Sequence, residues 1–221
     1  MCPIDAFFTF FKGYAGEFIA AFGGAGFGAL SAYLFQQHQQ KKADSEKRYS
    51  ALLEAKMVLG FHLNSLLNLR DKVLGPFLQD ENRAFAMGLQ FKIIDRTKID
   101  LRQLSFLTYG SNNPNLVMML YLAESRYFNT VEAFDERNRA VRDTTATAII
   151  THYDPNTKKA SVVSDIPKIQ LLKDTTEHLF ECVPSTVDFL KSVMIQLDKV
   201  SAFLFPDRKP VRFTTDDKPK E

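Results

Sequence analysis

Read for its polar and apolar positions, the chain opens on a run without a formal charge, Phe18 to Phe35 (FIAAFGGAGFGALSAYLF). As a helix at ~1.5 Å per residue, a run of that length spans roughly 27 Å, about one bilayer core. Seven of its residues insert well into lipid: Phe18, Ile19, Phe22, Phe27, Leu30, Leu34 and Phe35. Together they contribute roughly −2 to −4 kcal/mol, and the Ala, Gly, Ser31 and Tyr33 between them add little. The run ends in the polar, basic stretch QQHQQKKADSEKR. The pattern predicts a single-pass transmembrane helix over 18–35, preceded by a short interfacial or extracytoplasmic N-terminus, 1–17.

Beyond the run the pattern becomes helical. Leu52, Leu59, Leu66 and Val73 recur every seven residues, with Leu63, Leu67 and Leu69 between them, up to the stop signal Gly75-Pro76. The membrane helix is expected to continue into this one. A second long helix is predicted after Ser111-Asn112-Asn113-Pro114, with the stripe Leu116, Leu120, Ala123, Tyr127, Val131, Phe134 and Val141. A third runs from about Pro167 to Phe205 through Leu172, Leu179, Val183, Thr186, Leu190, Val193, Leu197 and Leu204. Pro184 lies inside it and is expected to kink or break it. Single-faced helices bury their stripes on one another. The fold class expected is mainly α: a transmembrane helix leading into a cytoplasmic, antiparallel, up-down-up three-helix bundle over 36–205.

Two stretches read as strands. In Phe85, Met87, Leu89, Phe91 and Ile93 the large apolar residues fall on alternate positions, a strand period. Thr147–Tyr153 is rich in β-branched residues, and turn chemistry at Asp154-Pro155-Asn156-Thr157 returns it towards Ala160–Val163 as a small hairpin. Residues 206–221 read as a polar, disordered tail.

Charge sets the orientation. Residues 1–17 carry one basic side chain, Lys12, whereas 36–51 carry Lys41, Lys42, Lys47 and Arg48. The positive-inside rule places the bulk of the chain in the cytoplasm. The layout suits a bacterial inner-membrane protein. The chain has a net charge of +2, and this near balance argues against a dedicated nucleic-acid surface. Two cysteines, Cys2 and Cys182, form neither a metal spacing nor a disulfide framework.

Small residues recur every four positions at Gly16, Ala20, Gly24, Gly28 and Ala32. In lipid, close backbone approach through such a stripe drives helix association, so a homo-oligomer is expected. Glu17 beside the stripe is a candidate pore-mouth or cation-binding carboxylate, or a charge that snorkels to the interface.

No catalytic template fits. The GGAGFG segment has neither the Lys-Ser/Thr of a phosphate loop nor a preceding strand. His178, Glu181 and Cys182 stand at i, i+3 and i+4, a set too small to define a metal site. Arg137, Arg139 and Arg142 lie in a mixed-charge run that reads as a wet face with Asp135–Arg139 and Asn138–Arg142 pairs, or as a receiver for a phosphate-bearing ligand. Glu124 and Arg126 flank the second stripe as candidates for a partly buried ion pair. The expectation is a membrane-anchored, self-associating interaction or signalling protein with lipid and an unidentified protein as partners, and with no enzyme activity, cofactor or metal. The alternatives are an oligomeric, pore-forming effector and a ligand-sensing or metal-binding protein.

Overall fold

The computed structural model describes the backbone of residues 3–90, 96–147, 149–154, 159–163 and 165–208, and the side-chain surroundings of 26–90, 96–146 and 165–208. It is mainly helical. Helix α1 runs Pro3–Asn68 and passes directly into a π-helical turn, Leu69–Leu74, and a 3₁₀ turn, Gly75–Phe77. Two short helices, α2 (Arg83–Ala86) and α3 (Leu107–Gly110), lie in the connection to α4 (Leu116–Thr147). Strands β1 (Ile149–Asp154) and β2 (Lys159–Val163) precede the last helix, α5 (Ile166–Leu204).

The chain divides into two units, Met1–Arg48 and Tyr49–Glu221. In the first, every residue from Gly26 to Arg48 is exposed. Among the described residues no helix is long and apolar enough to cross a membrane. Phe18–Ala25, the first part of the apolar run, lie outside those whose side chains are described.

The second unit is a bundle of the C-terminal part of α1 with α4 and α5. Leu52, Leu59, Leu63 and Leu66 of α1 share one core with Leu116, Leu120, Ala123 and Tyr127 of α4 and Val187, Leu190, Val193 and Leu197 of α5. A second cluster follows along the bundle, where Leu74 and Met87 meet Phe134, Leu179 and Val183. A third joins Ala84 to Ala140 and Leu172. The helix directions can be read from the pairs between them. Tyr49 meets Phe205 and Lys56 pairs with Asp198, so α1 and α5 are antiparallel, and beyond α1 Arg83 of α2 pairs with Glu177 of α5. Arg126 lies over the ring of Phe189, Thr130 bonds Thr186, and Thr144 bonds the Lys168 carbonyl, so α4 and α5 are antiparallel. His62 stacks on Tyr127, and Leu74 in the π turn that continues α1 packs with Phe134, so α1 and α4 run parallel.

This corrects the up-down-up bundle. Short loops force antiparallel neighbours, but residues 75–115 are long enough to carry the chain back to the starting end. The return path lies on the bundle: Gly88 and Gln90 meet Arg137 and Asn138, whereas Ile99 N–H reaches Glu124 at 2.7 Å, nearer the start of α4.

The expected strand over 85–94 is also corrected. Phe85 and Ala86 belong to α2, residues 87–90 are irregular, and 91–94 lie outside the described residues. The alternation there marks a segment pinned by two helix side chains rather than by a neighbouring strand. The second strand expectation holds: β1 and β2 pair antiparallel from Ile149↔Val163 to Asp154↔Lys159, with an irregularity between Ile150 and His152. Helix α5 continues unbroken through the exposed Pro184. Helix α4 begins at Leu116, just beyond Pro114. Before it, Ser111 Oγ accepts the Asn113 N–H at 3.2 Å and donates to Leu107 O at 2.6 Å.

Candidate functional site: a cleft at the π-helical turn

Up to Leu66 the seven-residue recurrence places each leucine in the core. The next position in that series is Val73, yet the buried residue is Leu74, 2% exposed. A π turn closes on residue i+5 instead of i+4, which delays the buried face by one residue. The Gly75 N–H closes this turn on Arg70 O. Pro76, which follows, has no N–H with which to extend the ladder.

The local widening opens a cleft of about 320 Å³ against α4. That is the lower end of the range for small-molecule sites. Its polar side comes from the end of α1 and the π turn: Asn64, Ser65, Asn68 and Lys72. Asn68 Nδ2 donates to Asn64 O at 3.0 Å, which ties part of this rim to the helix. Lys72 is exposed and is the one charged residue of the lining among the described residues. The apolar side is Leu66, Leu69 and Val73 with Tyr127, Val131 and Phe134 of α4. Tyr127 is held from behind: His62 stacks on it at 3.8 Å and 8°, and Phe128 meets it edge-on at 5.3 Å. The His62 ring is itself fixed by Nε2, 2.9 Å from Thr97 O. The aromatic floor is therefore held by ring stacking and one hydrogen bond.

The residues singled out from sequence are not drawn into this cleft. Arg137 is fully buried. Its Nη1 donates to Gly88 O at 2.7 Å and its Nη2 lies 3.4 Å from Ala84 O. Nε has no hydrogen-bond partner among the described residues. Burial, with no carboxylate among the described residues offsetting it, pushes the guanidinium down to about 10. Arg139 and Arg142 are exposed. The three arginines thus share no face, because a helix turns 139 well away from 137. Asn138, expected on a wet face, is buried. Its amide accepts the Gln90 N–H at 3.3 Å and donates to Gln90 O at 3.1 Å. Arg137 and Asn138 together clasp the returning segment 84–90.

Glu124 is half-buried, as one of the two was expected to be, and accepts the Ile99 N–H, while Arg126 is exposed and its guanidinium sits 4.2 Å from the Phe189 centroid; neither forms an ion pair among the described residues. His178 and Glu181 are exposed, and Cys182 is half-buried with its thiol donating to Leu179 O at 3.6 Å. Burial pushes that thiol above its ordinary value. Among the described residues no group of three His, Cys, Asp or Glu side chains is placed to hold a metal. Ala32 is exposed, and a Cβ at Gly28 would meet nothing within 4 Å. The surroundings of Gly16, Glu17, Ala20 and Gly24 lie outside the described residues.

Reading the sequence missed the cleft itself. The signal was present: Asn64, Ser65 and Asn68 interrupt a leucine-rich helix at i, i+1 and i+4, about two to three turns before a Gly-Pro stop. Comparison of the chain with protein-family models, with curated proteins and with solved structures finds no match.

Proposed function

We propose that the protein is a membrane-anchored, self-associating interaction or signalling protein without catalytic activity. In this reading Phe18–Phe35 is the transmembrane anchor and the helical body lies in the cytoplasm. The observation that carries it is the exposure of Phe27 (75%), Leu30 (55%), Leu34 (54%) and Phe35 (65%) within one uninterrupted helical stretch. Covering the area these four side chains still expose is worth roughly 4–7 kcal/mol at ~1.5–3 kcal/mol for each fully exposed one, so lipid or another apolar surface has much to gain by covering them. The absence of charge from residue 18 to residue 35 favours lipid, and the basic flank at Lys41, Lys42, Lys47 and Arg48 favours a cytoplasmic body.

Self-association rests on the stripe Gly16, Ala20, Gly24, Gly28 and Ala32, at whose described glycine a neighbouring backbone has open space to approach. Fractionation and in-membrane cross-linking of the full chain test both parts. The expected result is recovery in the carbonate-resistant membrane fraction as a cross-linkable oligomer, with Gly24→Leu/Gly28→Leu shifted to monomer. A chain that purifies from the aqueous fraction, monodisperse and without detergent, overturns the anchor. A double variant as oligomeric as the parent overturns the stripe.

A further inference from the structure

The cleft beside the π turn has a chemistry of its own, independent of the anchor. We propose that it binds a small aromatic or otherwise apolar monocarboxylate, with the carboxylate at Lys72 and the apolar body between Val73, Val131 and Phe134. Three features select this class. The first is charge: among the described residues Lys72 is the one charged residue of the lining, and it makes no ion pair with any of them. The acid next to it in sequence, Asp71, is occupied by Arg70, whose Nε donates to it at 2.7 Å. A single unneutralised ammonium suits a monoanion, whereas a phosphate dianion would call for further cations.

The second feature is the wall. Leu69, Val73, Val131 and Phe134 offer only carbon to a ligand, and buried Tyr127 lies between them, locked by His62. The third is size. At ~30 Å³ for each water-sized group, a space of about 320 Å³ holds roughly ten non-hydrogen atoms. That is a phenyl ring with a short acid arm. The π turn gives the arrangement a local cause: delaying the buried face by one residue puts Leu74 into the core and leaves Val73 and Lys72 along the cleft.

Ligand-observed saturation-transfer NMR on the full-length chain at pH 7, with the carrying medium alone as blank, tests the proposal. The probes are phenylacetate, phenylacetamide and phenethylammonium, which share a ring and differ in charge. The expected result is saturable, mutually competitive binding with phenylacetate about tenfold tighter than the amide and the ammonium weakest, as a charge-assisted bond exceeds a neutral one. Lys72→Met is expected to bring phenylacetate down about tenfold, to the level of the amide. Ser65→Phe, which fills the cleft from its rim, is expected to abolish binding of all three. Equal affinities for the three probes, no saturable binding, or a Lys72→Met variant that keeps its preference for the acid would each overturn the proposal. Because Lys72 is exposed, that variant reports on binding rather than folding. A soluble chain in the fractionation experiment leaves these expectations unchanged, so failure of the anchor and failure of the cleft are separately visible.

Discussion

Replacing Arg137 with methionine removes a charge from the interior while keeping a long, flexible side chain in its place. Two effects oppose each other. The fall of the guanidinium to about 10 corresponds, at ~1.4 kcal/mol per unit, to about 3 kcal/mol by which burial disfavours the ionised form. Methionine relieves that. Against it stands the loss of the bond to Gly88 O at 2.7 Å, about 1.5–3 kcal/mol for a charged donor, and of the longer, weaker approach to Ala84 O at 3.4 Å. The terms nearly cancel, and Arg137→Met is expected within ~1 kcal/mol of the parent. Arg137→Ala also empties the space and is expected to cost roughly 2–5 kcal/mol. Urea denaturation followed by circular dichroism measures both. A pH series adds a sign. The folded value is depressed, so the unfolded chain binds more protons above pH ~10, and the parent gains stability relative to the methionine variant as pH rises from there towards the ordinary arginine value. The reasoning fails if Arg137→Met is as damaging as Arg137→Ala. That result would mean an anion balances the guanidinium, and the phosphate-receiving role considered from sequence would return.

Four further expectations follow from other contacts. Thr130 Oγ1 donates to Arg126 O at 2.8 Å, so the 2.9 Å bond between the two buried hydroxyls has Thr186 as donor. Thr130→Val is therefore expected to cost about 1–2 kcal/mol, with Thr186→Val milder and the double variant less than additive, as a double-mutant cycle in urea would register. Asp198→Asn is expected to cost more than Lys56→Met, by about 2 kcal/mol in thermal unfolding, because it leaves the buried Lys56 ammonium without its carboxylate. Arg83→Gln is expected to lower stability by less than ~1 kcal/mol at neutral pH, since the pair with Glu177 is largely exposed. Arg83 holds the Glu177 carboxyl below its ordinary value, so that difference is present above pH ~4.3 and is lost as pH falls through the native value. In a Cys2→Ser background Cys182 is expected to react with a disulfide reagent at pH 8 at least about tenfold more slowly than a free thiol, becoming fast only in denaturant.

Most of the helical body was legible in the chain. Of the stripe predicted for the last helix, Leu172, Leu179, Val183, Thr186, Leu190, Val193 and Leu197 are all buried. Periodicity reports which face of a helix is apolar, and Gly75-Pro76 and Pro206 mark where helices stop. Periodicity is silent on direction, so the parallel pairing of α1 with α4 was out of its reach. That pairing depends on a long connection held by backbone atoms of residues 84–90, which any sequence can supply. The same blindness hid the role of Arg137 and Asn138. Their partners are carbonyls and an N–H, so no complementary residue appears elsewhere in the sequence. The cleft was missed for a related reason. A π turn shifts the register by a single residue, and over Leu66–Leu74 this is indistinguishable from a slightly irregular stripe.

The parallel arrangement also imposes an order on assembly. Lys56 and its partner Asp198 are separated by 142 positions, whereas α4 and α5 are joined by one hairpin. At ~5–20 residues per second on a ribosome, α1 emerges on the order of ten seconds before the helix that covers it. Leu52, Leu59 and Leu63 gain part of their native cover when α4 emerges and the rest only with α5, while the α4–α5 hairpin, once made, closes on itself through nearby contacts. A nascent chain of this protein thus exposes a leucine face that chaperones or the translocation machinery would meet before its own C-terminal helix does.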